Sequence, residues 1–144
     1  MIRINAFANT YTKIDDTLCL PFDKRQKSRQ RVRLKSGLEA GLLLPRGTIL
    51  RGGDCLLSEN GQVVQVEAEA EQVSTVTSRE SLLLLRAAYH LGNRHVPLQI
   101  SNDNLCYLRD HVLDEMIVQL GLEVVHEVLP FEPERGAYQG HNHH

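Results

Sequence analysis

The spacing of turn-forming residues is the feature that most limits how the first half of this chain can fold. Short apolar runs are separated by turn signals at Asp15-Asp16, Ser36-Gly37, Pro45-Arg46-Gly47, Arg51-Gly52-Gly53-Asp54 and Glu59-Asn60-Gly61. Residues 62–68 alternate in polarity, which puts Val64, Val66 and Ala68 on one face of a strand. Short strands joined by frequent turns predict a small sandwich or barrel, an all-β domain over residues 1–72.

From Val73 onward the pattern changes to strands that alternate with helices. Strands are predicted at 73–77, 96–100, 105–108 and 124–129. Two amphipathic helices are predicted between them, with apolar stripes Leu84, Ala87, Ala88 and Leu91 in the first and Leu113, Met116, Ile117 and Leu120 in the second. The order β-α-β-β-α-β is that of a ferredoxin-like domain. We therefore predict an α+β chain with this domain at residues 73–134 and a flexible His-containing tail at 135–144.

The ends of the predicted helices carry recognisable signals. Thr77 precedes Glu80 by the spacing of a capping box, and Gly92 is placed to end the first helix in a left-handed conformation. Asp110 can cap the second helix and Gly121 can end it. Beyond Pro130, residues 131–134 and the polar end that follows predict an extended, mobile tail.

A basic stretch at residues 24–35 has three interpretations. Period two places Arg29, Arg31, Arg33 and Lys35 on one face of a strand. A solvated outer face is the plainest interpretation, and a docking surface for an acidic protein is the second. Nucleic acid is the least favoured partner, because no aromatic residues interleave with the cations and the net charge of the chain is −2.

All seven histidines lie at or after residue 90, and the half that carries them is acidic. Residues 73–144 hold 5 Lys/Arg against 9 Asp/Glu, whereas residues 1–72 hold 11 against 9. Histidine is the commonest metal ligand, and an acidic surface attracts cations. This asymmetry predicts metal binding in the second half.

His95 is the leading candidate ligand. It follows the first predicted helix and precedes a strand, so its side chain should be partly exposed. One imidazole makes a poor site, but in a two-fold dimer a residue near the axis meets its own copy. Two His95 side chains, supplemented by His141, His143 and His144 of the tail, would form a shared site of nitrogen ligands. The alternative is that His95 is a lone surface histidine.

The other histidines are weaker candidates. His111 shares a helical face with Asp114 and Glu115, so it is either a ligand that these carboxylates support or a surface residue paired with Asp114. We expect His90 to be structural and His126 to be a packing residue in the middle of a strand.

Several function classes have no support in the residues. The three cysteines, Cys19, Cys55 and Cys106, form no Cys-x-x-Cys pair and are expected to be small buried hydrophobes with reduced thiols, which favours a cytoplasmic location. No apolar run is long enough to cross a membrane. There is no nucleophile–base constellation, phosphate-binding loop or His-Glu-x-x-His motif, so we do not expect an enzyme.

Several segments together resemble the UreE family of urease accessory proteins. The most specific is the stretch from His90 to Gln99, HLGNRHVPLQ. The likeness continues in residues 110–116, 120–122, 130–134 and 136–138, and in the first half in Arg31, Arg33, residues 41–50 and residues 52–54. It covers nearly the whole chain.

The resemblance implies a metallochaperone that carries Ni(II) to apo-urease. It implies an N-terminal β domain that meets protein partners and a C-terminal domain that binds metal and forms a homodimer. The interfacial metal histidine of the family falls on His95, and an auxiliary one falls on His111, whereas a second auxiliary histidine is replaced by Arg109. Cu(II) and Zn(II) are expected to bind the same sites. Implied partners are the GTPase UreG, the other urease accessory proteins and the urease apoenzyme.

Two other functions remain open at this point. The chain could be a peptide-binding chaperone module whose metal affinity is incidental, or a general divalent-metal buffer with no specific client.

Overall fold

The computed structural model describes residues 1–9 and 13–136. The chain divides into two compact units, Met1–Glu69 and Ala70–His144, and each is described by itself. The division falls at Glu69 rather than at residue 72, because the first strand of the second unit already begins at Ala70.

Unit 1 is one mixed sheet with a single short helix in its described part. Its elements are β1 (Ile2–Phe7), β2 (Asp16–Leu20), α1 (Phe22–Arg25), β3 (Arg29–Arg33), β4 (Glu39–Leu43), β5 (Cys55–Ser58) and β6 (Val63–Ala68). The strand order is β2-β6-β5-β1-β4-β3. Two of the pairings, β1 with β4 and β2 with β6, are parallel, and the rest are antiparallel.

The sheet of unit 1 curls until its two edge strands meet at one end. Just beyond β3, the N–H of Lys35 donates to the carbonyl of Thr17 in β2 at 2.8 Å, and Ser36 donates to the carboxylate of Asp16. The arrangement is therefore a curled, barrel-like sheet rather than two stacked sheets. The interior is aliphatic and includes Ile4, Leu18, Leu34, Leu42, Leu50, Leu56, Val64 and Val66.

The predicted period-two pattern of the basic stretch is confirmed in β3. Arg29, Arg31 and Arg33 are exposed, whereas Val32 between them is buried in the core. Arg33 forms an ion pair with Glu39 on the neighbouring strand at 2.9 Å.

Unit 2 has the element order that the sequence predicts. Its elements are β7 (Ala70–Thr77), α2 (Ser81–Asn93), β8 (Gln99–Ile100), β9 (Asn104–Leu108), α3 (His111–Gln119) and β10 (Glu123–Pro130). All pairings are antiparallel, in the order β10-β7-β9-β8. The strand predicted at 96–100 is shorter than expected, because only its last two residues pair with β9.

The helices of unit 2 pack on one face of this sheet through the predicted stripes. Ala87 and Leu91 of α2 and Leu113 and Ile117 of α3 are buried with residues of β7 and β9. Tyr107 of β9 belongs to this core, so its neighbour Cys106 faces the opposite side of the sheet.

Two helix-end signals are confirmed. The Asp110 carboxylate accepts the backbone N–H groups of Val112 and Leu113, which caps α3. Gly121 follows the C-cap residue Leu120 of α3 and adopts a φ of +96°, a conformation that glycine enters without steric penalty.

The capping box predicted at the start of α2 is wrong. Glu80 is itself the N-cap residue and Ser81 begins the helix, so Thr77 remains in β7. In the described part of the chain no side chain caps α2; the Ser78 hydroxyl instead accepts the N–H of Glu80 at 3.0 Å. This serine, the residue after Thr77, stabilises the turn that leads into the helix.

The mobile tail predicted from residue 131 is also wrong for residues 131–134. These residues, which we call the strap, are held against unit 2, where Phe131 is 0% exposed. The N–H of Glu132 donates to the Gln99 side chain and the N–H of Glu134 to the carbonyl of Leu98, both at 2.8 Å. Because β10 and β8 are opposite edges of the sheet, the strap crosses from one edge to the other.

The strap covers the face of the sheet that the helices leave open. Gln99 lies directly opposite Cys106 in the β8–β9 pair, and such partners share a face. Since the Gln99 side chain contacts the strap, Cys106 faces it too, and Cys106 is only 2% exposed. Phe131 stands among polar residues, a pattern that predicts a solvated tail. The sequence around it therefore gives no sign that this one apolar residue is buried.

Candidate metal site

His95 occupies a strained corner at the end of α2. The helix runs through Gly92 and ends at Asn93, so the predicted stop at Gly92 is wrong. Arg94 follows as the C-cap, and His95 takes the left-handed position with φ +58°. Its N–H donates to the carbonyl of Gly92 at 3.0 Å, which completes the last turn.

Among the described residues, His95 is the one residue other than glycine with a positive φ. That conformation brings the Cβ of an L-residue close to its own carbonyl and costs about 1–2 kcal/mol. A glycine at this position would avoid the cost, and the imidazole it carries instead is exposed to solvent. Retained backbone strain of this kind is typical of functional positions.

The strap ends beside the strand that follows His95. The Glu134–Leu98 hydrogen bond fixes the chain three residues from His95. The tail histidines, His141, His143 and His144, lie outside the described residues, so their predicted part in a site stays a prediction.

His111 begins α3 and is almost fully solvated. Its Nε2 lies 3.1 Å from a carboxylate oxygen of Glu115, one helical turn away, and 86% of its side chain is exposed. The predicted pairing of His111 with Asp114 is therefore wrong. Glu115 is the partner, because residues four apart lie nearly above one another on a helix.

Asp114 is instead the centre of a polar cluster that joins α3 to the sheet. Tyr107 of β9 donates its hydroxyl to one carboxylate oxygen at 2.6 Å, and Nε2 of His126 in β10 lies 2.8 Å from the other. His126 is exposed on its strand, so the expectation that it is a packing residue is wrong.

The electrostatics of this cluster favour the ionised carboxylate. Partial burial raises the pKa of Asp114, but hydrogen bonds, led by the one from Tyr107, outweigh it and hold that pKa below its usual value. Burial, followed by the bond to Asp114, raises the pKa of the Tyr107 phenol far above its usual value. Tyr107 therefore stays a protonated donor, and each carboxylate oxygen of Asp114 has a partner within unit 2.

The cysteines are poor candidates for ligands. Cys55 and Cys106 are buried, as expected, whereas Cys19 is exposed, so the prediction that each is buried is wrong for this one. Partial burial, followed by the charges of Glu69 and Glu67, raises the pKa of the Cys19 thiol. Because a metal binds the thiolate, a raised pKa weakens this residue as a ligand.

The outward face of α2 is apolar. Leu82, Leu85 and Tyr89, spaced i, i+3 and i+7, are 56%, 66% and 65% exposed. They lie opposite the buried stripe that contains Ala87 and Leu91. The exposed stripe of Leu82, Leu85 and Tyr89 is visible in the sequence as a second apolar period. It runs along α2 toward the end that precedes His95.

His90 lies near the end of the same helix. It is half-buried, and its ring meets the edge of Tyr89 with 5.3 Å between centroids. The expectation of a structural role stays a prediction.

No complete metal site lies within residues 1–9 and 13–136 of one chain. Nowhere in them do three or more His, Cys, Asp or Glu side chains come together in a way that could hold an ion. His95 and His111 therefore each offer a single imidazole.

Comparison with known proteins decides the family. Residues 3–69 match the model of the UreE urease accessory protein N-terminal domain, and residues 71–144 match that of its C-terminal domain. The chain belongs to the UreE family. Its members are urease accessory proteins, a class distinct from urease itself.

Individual relatives agree with this assignment. The chain is 53% identical to the urease accessory protein UreE of Citrobacter koseri over 147 aligned residues, which cover 100% of this chain and 97% of the relative. It is 60% identical to UreE of Alkalilimnicola ehrlichii, with 88% and 77% covered, and 59% identical to UreE of Proteus mirabilis, with 86% and 77% covered. In the part of the chain that is described, no helix has the length and apolar character needed to span a bilayer.

Proposed function

We propose that this UreE protein is a cytoplasmic metallochaperone that binds Ni(II) as cargo and delivers it to apo-urease. The observation that carries the proposal is the exposed imidazole of His95, held in a left-handed conformation at the end of α2. Strain at this corner fixes the direction in which the side chain leaves the backbone. A fixed direction favours a ligand whose partner ligands come from outside its own chain.

The remaining ligands come from a second copy of the chain. One imidazole holds a divalent ion weakly, and the described residues of one chain add no cluster of donors around it. In the proposed homodimer the apolar stripe of Leu82, Leu85 and Tyr89 packs against its own copy across a two-fold axis. The stripe leads toward the helix end that precedes His95, so a two-fold axis near Tyr89 would bring two such ends together.

The tail supplies further nitrogen donors. Glu134 is held beside Leu98, and His141 follows it by seven residues. An extended chain of that length spans roughly 24 Å, well beyond the distance covered by the three residues from Leu98 back to His95. The chain between Glu134 and His141 is therefore long enough for the tail histidines to act as further ligands of the shared site.

The two units have different roles in this proposal. We infer that unit 2, with its β-α-β-β-α-β order and strand order β10-β7-β9-β8, is a ferredoxin-like metal-binding and dimerisation domain. Unit 1 is the domain that meets protein partners. Those partners are the GTPase UreG, the other urease accessory proteins and the urease apoenzyme.

His111 is an auxiliary ligand in this scheme. It is exposed and is oriented by Glu115, as carboxylates orient metal-binding histidines. Arg109 stands near it in sequence where a second auxiliary histidine would be expected by resemblance, so the auxiliary site is weak. Nitrogen ligands also accept Cu(II) and Zn(II), and Cu(II) binds such a set more tightly than Ni(II). Partner docking and metal supply, rather than affinity, therefore select nickel.

Equilibrium dialysis against NiCl₂, combined with light scattering, tests the shared site. The wild-type protein is expected to hold one tightly bound nickel ion per two chains, and His95→Ala to lose that ion while remaining dimeric. His90→Ala, which removes an imidazole from α2 five residues before His95, is the control and should keep it. An unchanged tight site in His95→Ala, or one tight ion per chain, would overturn the proposal.

Delivery is tested separately from binding. Nickel-loaded protein is incubated with apo-urease and the remaining accessory proteins, the urease is separated, and its nickel content is measured. Wild-type protein should raise that content above the level reached with free nickel at equal concentration, and His95→Ala should not. Equal nickel contents in the two samples would contradict a delivery role.

A further inference from the structure

Unit 1 carries a cationic cavity that metal binding does not explain. The cavity, which we call the basic groove, has a volume of about 680 Å³. Its walls are the turn that leads into β3 and the loop that follows β4, with lining residues Gln26, Lys27, Ser28, Arg29, Leu44, Pro45, Arg46 and Gly47.

The charge of the basic groove is not neutralised. Lys27, Arg29 and Arg46 are exposed and line it, and no acidic residue does. Within residues 1–9 and 13–136 none of these three cations forms an ion pair, in contrast to Arg33, which is paired with Glu39. Three unpaired like charges around one cavity create a positive potential that favours an anionic occupant.

The walls of the groove are held by backbone contacts. Leu44 donates its N–H to the carbonyl of Ser28 at 2.9 Å, which ties the two walls together. The Gln30 amide donates to the carbonyls of Lys24 and Lys27 and so fixes the turn that bears Lys27. The cations therefore project from a preformed framework, and binding needs little reorganisation of the backbone.

The groove shares Arg29 with β3, which is an edge strand. β3 is the last strand of its sheet, and the described residues place no strand along its outer side; the contact with β2 begins only at Lys35, beyond the end of β3. Arg29 and Arg31 project from the same face of β3, about 7 Å apart, the period of alternate residues in a strand. An extended peptide beside β3 would present its own alternate side chains at that same spacing.

We propose that the basic groove and the outer edge of β3 bind an extended acidic segment of a partner protein. The segment adds beside β3, places alternate carboxylates near Arg29 and Arg31, and continues into the groove toward Arg46 and Lys27. This surface lies wholly in unit 1, whereas the candidate metal ligands all lie in unit 2, so the proposal stands or falls independently of nickel binding.

The residues favour a peptide over nucleic acid. Leu44 and Pro45 give the groove an apolar part suited to a side chain, and no aromatic residue lines it for base stacking. The net charge of −2 gives the whole chain no general attraction for a polyanion. A short acidic strand can hydrogen-bond to the open backbone edge of β3 and also pair with the cations. A phosphate backbone cannot do both.

Fluorescence anisotropy with the full-length protein and labelled probes tests this proposal. The probes are a peptide of four Glu-Val repeats, the matching Gln-Val peptide and a single-stranded RNA of similar length. Wild-type protein should bind the Glu-Val peptide, with an affinity that falls as salt rises, and should bind the Gln-Val peptide and the RNA at least roughly tenfold more weakly. The double variant Arg29→Glu/Arg46→Glu should weaken Glu-Val binding about tenfold or more.

A matched variant distinguishes the loss of contacts in the groove from the effect of a changed net charge. Lys13→Glu/Arg79→Glu makes the same change of charge at two exposed cations that belong neither to the groove nor to β3, and it should alter Glu-Val binding by less than about twofold. Circular dichroism checks that both variants are folded, and Arg29→Gln/Arg46→Gln replaces the pair if charge reversal unfolds it. Equal losses in the two double variants, no binding of the Glu-Val peptide, or tighter binding of the RNA would each overturn the proposal.

Discussion

The backbone N–H of Glu134 donates to the carbonyl oxygen of Leu98 at 2.8 Å. This bond joins the end of the strap to the segment between His95 and β8, although the two residues are far apart in sequence. The fold of unit 2 therefore fixes the position of Glu134, where the tail begins.

Truncation of Phe131 should release the strap. The side chain is fully buried, and Phe131→Ala should lower the unfolding free energy of unit 2 by roughly 3–5 kcal/mol, as measured by urea denaturation. The Cys106 thiol, which faces the strap, should then react faster with a thiol reagent. Val128→Ala, at a 65% exposed position of β10, is the control, and equal thiol reactivity in both variants would show that the strap does not cover Cys106.

Glycine at position 95 should separate backbone strain from metal binding. His95→Gly and His95→Ala both remove the imidazole, but only glycine adopts a φ near +58° without penalty. His95→Gly should therefore unfold with a free energy about 1 kcal/mol higher than that of His95→Ala, while both lose the tight nickel ion. Identical denaturation midpoints would mean that residue 95 leaves the left-handed region in the alanine variant.

A charge on the outward face of α2 should disrupt the proposed dimer. Leu85 is 66% exposed, so Leu85→Asp costs the folded monomer little but places two carboxylates at a self-complementary contact. We expect at least about a tenfold weaker self-association, measured by analytical ultracentrifugation. Val112→Asp, at a 56% exposed position of α3, is the matched control; dissociation by both variants or by neither would place the dimer contact elsewhere.

The stability of unit 2 should depend on pH through Asp114. Its pKa is held below the ordinary 3.8 in the folded chain, so it contributes stability that is complete above that value and disappears as the pH falls through the lowered folded pKa. The substitution Asp114→Asn should reduce stability at neutral pH and flatten its decline below the ordinary pKa of 3.8, as followed by urea denaturation at several pH values. An unchanged acid profile would mean that other carboxylates dominate the transition.

The elements of unit 2 were predictable because each one carries a local signal. Each signal depends on residues that are close together in sequence, as in the apolar stripe of α2, the cap at Asp110 and the stop at Gly121. The strap was not predictable, since the burial of Phe131 depends on a sheet face that exists only after β8, β9 and β10 have assembled. The partners of Asp114 could not be predicted for the same reason, because Tyr107 and His126 reach it from two different strands.

The family resemblance made His95 a candidate ligand, but it did not describe the backbone conformation of this residue. Gly92 was the expected left-handed residue because glycine has no steric penalty there. The helix instead continues past it, so His95 takes that position. A single sequence does not decide between two candidate helix ends that are three residues apart.

The anchoring of the strap bears on how the protein should be handled. A polyhistidine purification tag fused after residue 144 would start ten residues beyond Glu134, within reach of the His95 corner. Titrations of such a fusion would measure the affinity of the added imidazoles as well as that of the native ones.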